Sequence, residues 1–149
     1  MKAVIQRVSN ASVEIDGELK SEIKKGLLIL LGVGDDDEKE DAEWLAKKIA
    51  SLRIFSDAEG KMNNSIQDID GEAIVVSQFT LHAKTKKGTR PSFIHAAHPD
   101  KATPLYEFFV NRLEVDVKNV KTGEFGANMK VNLANDGPVT IIIDTKNKV

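Results

Sequence analysis

Histidine and cysteine, two of the side chains that most often carry acid–base, nucleophilic or metal chemistry, are scarce or absent in this chain. Cysteine is absent, which removes a thiolate metal site, a cysteine nucleophile and a disulfide framework. The histidines are His82, His95 and His98. His95 and His98 are spaced to share a helical face, but no third metal ligand is evident, so they read as a solvated pair ahead of Pro99. There is no Gly-x-Ser-x-Gly elbow, no Walker loop and no dinucleotide fingerprint. A side-chain triad, a bound cofactor and a metal centre are therefore not expected.

Two segments remain that could do chemistry. The first is Ser77-Gln78-Phe79-Thr80-Leu81, at the end of the apolar run Ala73 to Val76. A hydrophobic strand that turns polar at its end presents hydroxyls, an amide and backbone N–H groups there. Spacing alone favours a plainer reading, in which the strand continues and Gln78 and Thr80 face outward. The second is Asn135-Asp136-Gly137-Pro138-Val139-Thr140, between two strand-like runs. Asn, Asp, Gly and Pro are strong turn formers, so this segment on its own reads as a hairpin turn. Proline has no N–H, so the Gly137-Pro138 pair offers carbonyls more readily than donors.

The elements that must position these segments are mostly strands. Ala11, Val13 and Ile15 alternate with polar residues, and Asp16-Gly17 follows as a tight-turn pair. Leu27 to Val33 is almost wholly apolar between Gly26 and Gly34, as in a strand buried on both faces. Met129, Val131 and Leu133 alternate with Lys130 and Asn132, and Val139 to Ile143 is a β-favouring run. The opening, Met1 to Val8, reads as a first strand. One helix is marked by a stripe of Ala42, Leu45, Ala46, Ile49 and Leu52, with capping-box-like spacing of Asp37 and Glu40. Acidic residues at its start and Lys47, Lys48 and Arg53 towards its end match the helix dipole. A second helix is expected from about Asp100 to Leu113, with Pro104 tolerated in its first turn. The 149 residues fit one domain, residues 1–149. The fold class is α+β: a curved, mainly antiparallel, barrel-like sheet or roll with two principal helices packed on it.

Charged residues make up 30% of the chain and the formal net charge is −2. A broad nucleic-acid binder would usually be basic, so any RNA contact must be local and DNA binding is not expected. No segment approaches the roughly 18 apolar residues of a membrane span, and the N-terminus lacks a secretory pattern. The expected address is the cytoplasm.

Together the two segments change the reading. Ser-Gln-Phe-Thr-Leu followed by Asn-x-Gly-Pro-Val-Thr resembles the motif pair of the D-aminoacyl-tRNA deacylase family. The resemblance covers the full chain and includes Gln6-Arg7-Val8, Gly88-Thr89-Arg90-Pro91-Ser92-Phe93, Leu105-Tyr106 and Phe125-Gly126-Ala127 leading into Met129. It implies a homodimer with active sites at the subunit interface. It implies an editing hydrolase that cleaves the ester of D-aminoacyl-tRNA, and of mischarged glycyl-tRNA, at the tRNA 3′ end. Gly137-Pro138 would be a cis peptide entering the partner's pocket, where its carbonyls hold the substrate ammonium and exclude an L side chain. Arg7 would brace that loop across the interface, where its residue type alone suggests a surface cation. Phe79 and the stretch containing Phe125, Ala127 and Met129 would wall the pocket and cradle the terminal adenosine, with Asn135 in support. Backbone N–H groups around Phe79 and Thr80, beside Ser77 and Gln78, would form an oxyanion hole, with the ribose 2′-hydroxyl assisting proton transfer. Lys84, Lys86, Lys87 and Arg90, in the loop after the first motif, would meet tRNA phosphates. Two other readings stand beside this one: an acyl hydrolase with Thr80 as nucleophile, for which no histidine or lysine is obviously placed, and a non-catalytic nucleic-acid-binding dimer.

Overall fold

The computed structural model of the chain describes residues Met1–Val149, and its spine is a long strand, β1 (Lys2–Ile15). It is followed by β2 (Glu18–Ile23), β3 (Gly26–Gly32), α1 (Lys39–Ser51), the short β4 (Phe55–Ser56) and β5 (Met62–Asn64), and β6 (Glu72–Ser77). A 3-10 turn (Phe79–His82), α2 (Pro99–Asp116), β7 (Asn119–Thr122) and β8 (Met129–Asp144) complete the order. Asp16 and Gly17 join β1 to β2 with φ of 52° and 79°, both positive as a type I′ hairpin turn requires.

The main sheet runs β2-β1-β3-β6-β7, with β8 along the other edge of β1. β1 pairs antiparallel with β2, β3 and β8, whereas β6 pairs parallel with β3 and with β7. Parallel neighbours need a long crossover, and the two helices occupy those crossovers, α1 between β3 and β6 and α2 between β6 and β7. Ser21 Oγ donates to the Thr122 carbonyl, and Lys121 Nζ donates to the Glu22 carbonyl at 2.6 Å. These bonds draw β7 towards β2 and leave the sheet nearly closed, as the barrel-like expectation required.

Both faces of the sheet are covered. Leu27, Ile29 and Leu31 of β3 join Leu45, Ile49 and Phe109 of the helices in the larger core. Leu28, Ile74 and Val76, on the opposite face, join Val8, Ala11, Val13 and Ile23 in a smaller one. Strands buried on both faces lose the period-two pattern, which is why β3 reads as an unbroken apolar run. β1 serves both cores by changing faces midway. Val8 pairs with Asn135 and Asn10 with Ala134, so Ser9 is an extra residue in the ladder. That bulge turns the odd-numbered side chains from the face of Ala3 and Ile5 to the face of Ala11 and Val13.

Three local expectations are corrected. The α1 cap lies one residue further on: Glu38 is the N-cap and Asp41 completes the box. Asp37 is instead fully buried, where it pairs with the Met1 ammonium and accepts from Gly34 N at 2.6 Å. A partner 36 residues away took the carboxylate that local spacing had assigned to the helix. Helix α2 begins at Pro99 and runs to Asp116, with the His98 side chain accepting from Asp100 N. Pro104 therefore lies in the second turn and not the first.

Candidate active site

The strand β6 delivers the first candidate segment to a cavity. Its last residue, Ser77, pairs with Leu31 of β3, and Gln78 N still bonds to the Leu31 carbonyl at 2.8 Å. The chain then leaves the sheet as the 3-10 turn Phe79–His82. The plainer reading, a strand continuing with Gln78 and Thr80 outward, is thereby corrected: β3 ends at Gly32, and nothing is left for β6 to pair with. Phe79 and Thr80 open the turn, so no carbonyl inside it can take their N–H groups. No loop carbonyl or side chain takes them either. The site thus has two adjacent backbone donors that neither the turn itself, nor a loop carbonyl, nor a side chain engages.

The cavity beside them has a volume of about 600 Å³ and lies between the ends of β3 and β6, the start of α2 and the loop leading into β8. Ser77, Gln78, Phe79, Phe125, Ala127 and Met129 all line it, so these six expected residues are brought together. Its wall is mainly apolar, with Asn128 as a further polar group, which suits a ligand with a flat or greasy body and a few polar anchors. Phe79 is 56% exposed and leans edge-to-face on Phe93, with ring centroids 5.1 Å apart. Thr80 is not in the lining; its Oγ1 accepts from Gln78 Nε2. Lys84, Lys86, Lys87 and Arg90 are exposed on the loop that follows, which Lys84 and Ser92 close by reciprocal backbone bonds of 2.8 and 3.0 Å.

The second segment is elsewhere in the chain. It is not a hairpin, because β8 continues in one direction through it and pairs with β1 on both sides. Gln6 pairs with Thr140 and Val8 with Asn135, so Asp136–Val139 stand opposite Arg7 alone. The turn-forming residues make an excursion from the ladder instead of reversing the chain. It falls where β8, like β1, passes from one core to the other: Leu133 packs on the smaller core and Ile141 on the larger. The Gly137-Pro138 peptide in it is cis. Gly137 has φ 139°, and a Cβ there would meet Val139 Cγ2 at 2.7 Å, so only glycine fits without strain.

Arg7 and Asn135 hold this excursion. Arg7 is only 9% exposed, which corrects the reading of a surface cation. Its Nε donates to the Asp136 carbonyl at 3.0 Å and its Nη1 to the Ile54 carbonyl at 2.7 Å, with the Asp136 carboxylate 3.6 Å away. The brace is made within the chain, because β1 places Arg7 directly opposite the excursion. Asn135 Nδ2 donates to the Arg7 carbonyl at 3.1 Å and to the Val139 carbonyl at 2.9 Å, which ties off the base of the loop. Neither Gly137, Pro138, Arg7 nor Asn135 lines the chain's own cavity.

Residue types and spacing had not singled out Phe93, Asn128 or the role of Tyr106. Tyr106 lines the cavity floor, donates to the Val75 carbonyl at 2.6 Å and tilts against Phe125 at 5.9 Å. Burial, aided by the charge of Glu107, pushes its hydroxyl far above the usual phenol range, so it is a donor and not a base. The histidines serve the fold locally: His82 Nε2 lies 3.1 Å from the Gly32 carbonyl, His95 lies 3.5 Å from Asp35, and His98 caps α2.

Comparisons with known proteins place this geometry. The profile of a family described as D-Tyr-tRNA(Tyr) deacylase matches residues 4–144. A D-aminoacyl-tRNA deacylase of Bacteroides fragilis is 62% identical over 149 residues, covering 99% of each chain. One of Flavobacterium psychrophilum is also 62% identical with the same coverage. A solved structure described as a c-Myc DNA unwinding element binding protein superposes with a TM-score of 0.92 at 41% identity, covering 97% of this chain and 98% of that one. A probable eukaryotic D-amino acid tRNA deacylase shares the fold, with a TM-score of 0.82 at 15% identity over 95% of this chain and 97% of that one.

Proposed function

The chain belongs to the D-Tyr-tRNA(Tyr) deacylase family, and from that premise we propose that it hydrolyses the ester joining a D-amino acid to the 3′ end of a tRNA. The observation that carries this reading is the pair of adjacent N–H groups of Phe79 and Thr80, engaged by no turn or loop carbonyl and no side chain, beside an apolar cavity that Phe79 lines. Ester hydrolysis builds negative charge on the carbonyl oxygen, and preorganised backbone donors stabilise that charge without reorganising. The cavity walls, with Phe79, Phe125 and Met129, take the terminal adenosine, and Ser77 and Gln78 lie beside the reacting carbonyl.

The ester is activated, so the protein need only orient water and stabilise the oxyanion. The neighbouring ribose 2′-hydroxyl assists the proton transfer. Thr80 as nucleophile is the weaker scheme. Its hydroxyl accepts a bond from Gln78, and the nearest histidine in sequence, His82, is engaged by Gly32, so no base is shown to activate it.

Selection of handedness falls to Gly137 and Pro138 of a second copy. Their main-chain carbonyls hold the substrate ammonium and fill the space an L side chain would need. A D side chain points elsewhere, and glycine, having none, passes. A main-chain wall clamped by Arg7 and Asn135 suits exclusion because it cannot rotate aside. That the excursion lies outside its own chain's cavity supports a homodimer with shared sites. Lys84, Lys86, Lys87 and Arg90 meet phosphates near the acceptor end, and the working place is the cytoplasm, where aminoacyl-tRNA is used. The scheme uses no cofactor or metal.

The solved structure described as a DNA-element binding protein favours one other reading, a nucleic-acid-binding dimer without turnover. The net charge of −2 weighs against broad duplex binding. Release of labelled tyrosine from D- and L-tyrosyl-tRNA separates the two: hydrolysis of the D ester alone is expected, and binding of either without release would refute the enzymatic reading.

A further inference from the structure

The turn that carries Phe79 and Thr80 is poorly equipped to hold itself. It is a 3-10 helix of four residues, tied to its flanks by Leu81 N to the Gln78 carbonyl at 3.3 Å and Ala83 N to the Thr80 carbonyl at 3.1 Å. Such short pieces have poor hydrogen-bond geometry and little stability of their own. The direction of the Phe79 and Thr80 N–H groups therefore depends on contacts from outside the turn. His82, the last residue of the turn, supplies the contact. Its Nε2 lies 3.1 Å from the carbonyl of Gly32 at the end of β3. A carbonyl only accepts, so Nε2 carries the proton and donates. A second tether, from Lys2 Nζ to the Leu81 carbonyl, is longer at 3.4 Å.

Two glycines leave room for the ring. A Cβ on Gly34 would stand 2.9 Å from His82 Cε1, and one on Gly32 would stand 3.2 Å from Cδ2 and 2.8 Å from the Gln78 carbonyl oxygen. Neither glycine has positive φ, so space and not backbone freedom requires them. The ring is thus seated in a socket at the end of β3. His82 does not line the cavity, so it touches no reacting atom.

We propose that His82 is a positioning residue for ester hydrolysis: its bond to the Gly32 carbonyl, in the Gly32–Gly34 socket, fixes the 3-10 turn so that the Phe79 and Thr80 N–H groups point at the oxyanion. The proposal rests on the reading above that those N–H groups stabilise the oxyanion. Such donors act in the transition state more than in the ground state, so misaiming them lowers kcat and spares KM. Removing one oxyanion donor outright costs roughly 100- to 1000-fold; misaiming two that remain present costs less, about tenfold.

The test is steady-state release of D-tyrosine from D-tyrosyl-tRNA by the full chain and its His82→Ala, His82→Gln and Gly34→Ala variants, with thermal unfolding recorded for each. His82→Ala is expected to lower kcat about tenfold and to leave KM within about twofold. His82→Gln keeps a donor of similar reach and restores most of the loss, whereas Gly34→Ala, which displaces the ring, lowers kcat with KM retained. An unchanged kcat in His82→Ala, a rise in KM that accounts for the loss, or a Gln variant no better than Ala overturns the proposal. Should His82→Ala fail to fold, His82→Leu takes its place against His82→Gln under the same criteria. Failure of the wider reading looks different, because the unaltered chain would then release no D-tyrosine.

Discussion

Asn135→Ala is the perturbation that isolates the Gly137-Pro138 loop with least damage to the rest of the chain. The side chain makes two hydrogen bonds, to the Arg7 carbonyl at 3.1 Å and to the Val139 carbonyl at 2.9 Å, and it is partly buried. Each neutral bond contributes about 1 kcal/mol net, so the variant should lose about 2 kcal/mol of stability in urea denaturation. The same two bonds fix the foot of the excursion against β1. If the excursion excludes the L side chain, part of that 2 kcal/mol is what keeps the wall from yielding. At about 1.4 kcal/mol per tenfold, the ceiling on lost discrimination is about 30-fold. The assay is the ratio of hydrolysis rates on D- and L-tyrosyl-tRNA, measured in parallel. A fall in that ratio of about 3- to 30-fold, mostly through faster cleavage of the L ester, is the expected outcome. A variant that loses about 2 kcal/mol in the denaturation curve yet keeps its D-to-L ratio would refute the claim that this loop is the gate.

Thr80→Ala removes the hydroxyl and keeps the N–H, so kcat should stay within about threefold of the parent; abolished turnover with an intact fold would identify Thr80 as the nucleophile. If Lys84, Lys86, Lys87 and Arg90 meet phosphates, the logarithm of tRNA affinity falls with the logarithm of salt, and each substitution to Gln flattens the slope by about one unit or less; a slope unchanged in the quadruple variant removes these residues from the interface. Acid stability should depend on Asp41. Burial raises its pKa, but bonds from the Glu38 N–H and Lys146 outweigh that and hold it below the ordinary value of 3.8. A group depressed on folding stabilises the native state above its unfolded pKa and ceases to do so as pH falls through the folded value. Asp41→Asn should therefore be less stable than the parent near neutrality, with the difference beginning to close only as pH falls below about 4, towards the lower folded value, which equilibrium denaturation across that range will show or exclude.

What the sequence alone discloses follows physical range. The Asp16-Gly17 turn, the α1 stripe and the doubly buried β3 depend on residues close in sequence, and all three stand. Asp37 was assigned to a helix cap because its actual partner, the Met1 ammonium, is 36 residues distant. The Gly137-Pro138 segment was read as a reversal because its residues do form turns. Only the pairing of Gln6 and Val8 with Thr140 and Asn135 on either side shows that the strand continues. Arg7 was legible as a surface cation by type; the carbonyls of Ile54 and Asp136, which bury it, come from segments far along the chain. The cavity residues arrive from four separate elements, so the family resemblance assembled them where periodicity could not. Phe93 and Asn128 had no local signal that distinguished them from loop residues.

The central claim is that the excursion of one chain reaches the cavity of another. The chain has no cysteine, so single cysteines report cleanly. Asn128 is exposed on the cavity wall and Asp136 is exposed on the excursion. An Asn128→Cys preparation mixed with an Asp136→Cys preparation, allowed to exchange subunits and treated with a short bifunctional maleimide, should give a cross-linked pair carrying one of each. Chains that sediment as monomers, or dimers in which these two positions never cross-link, would contradict it.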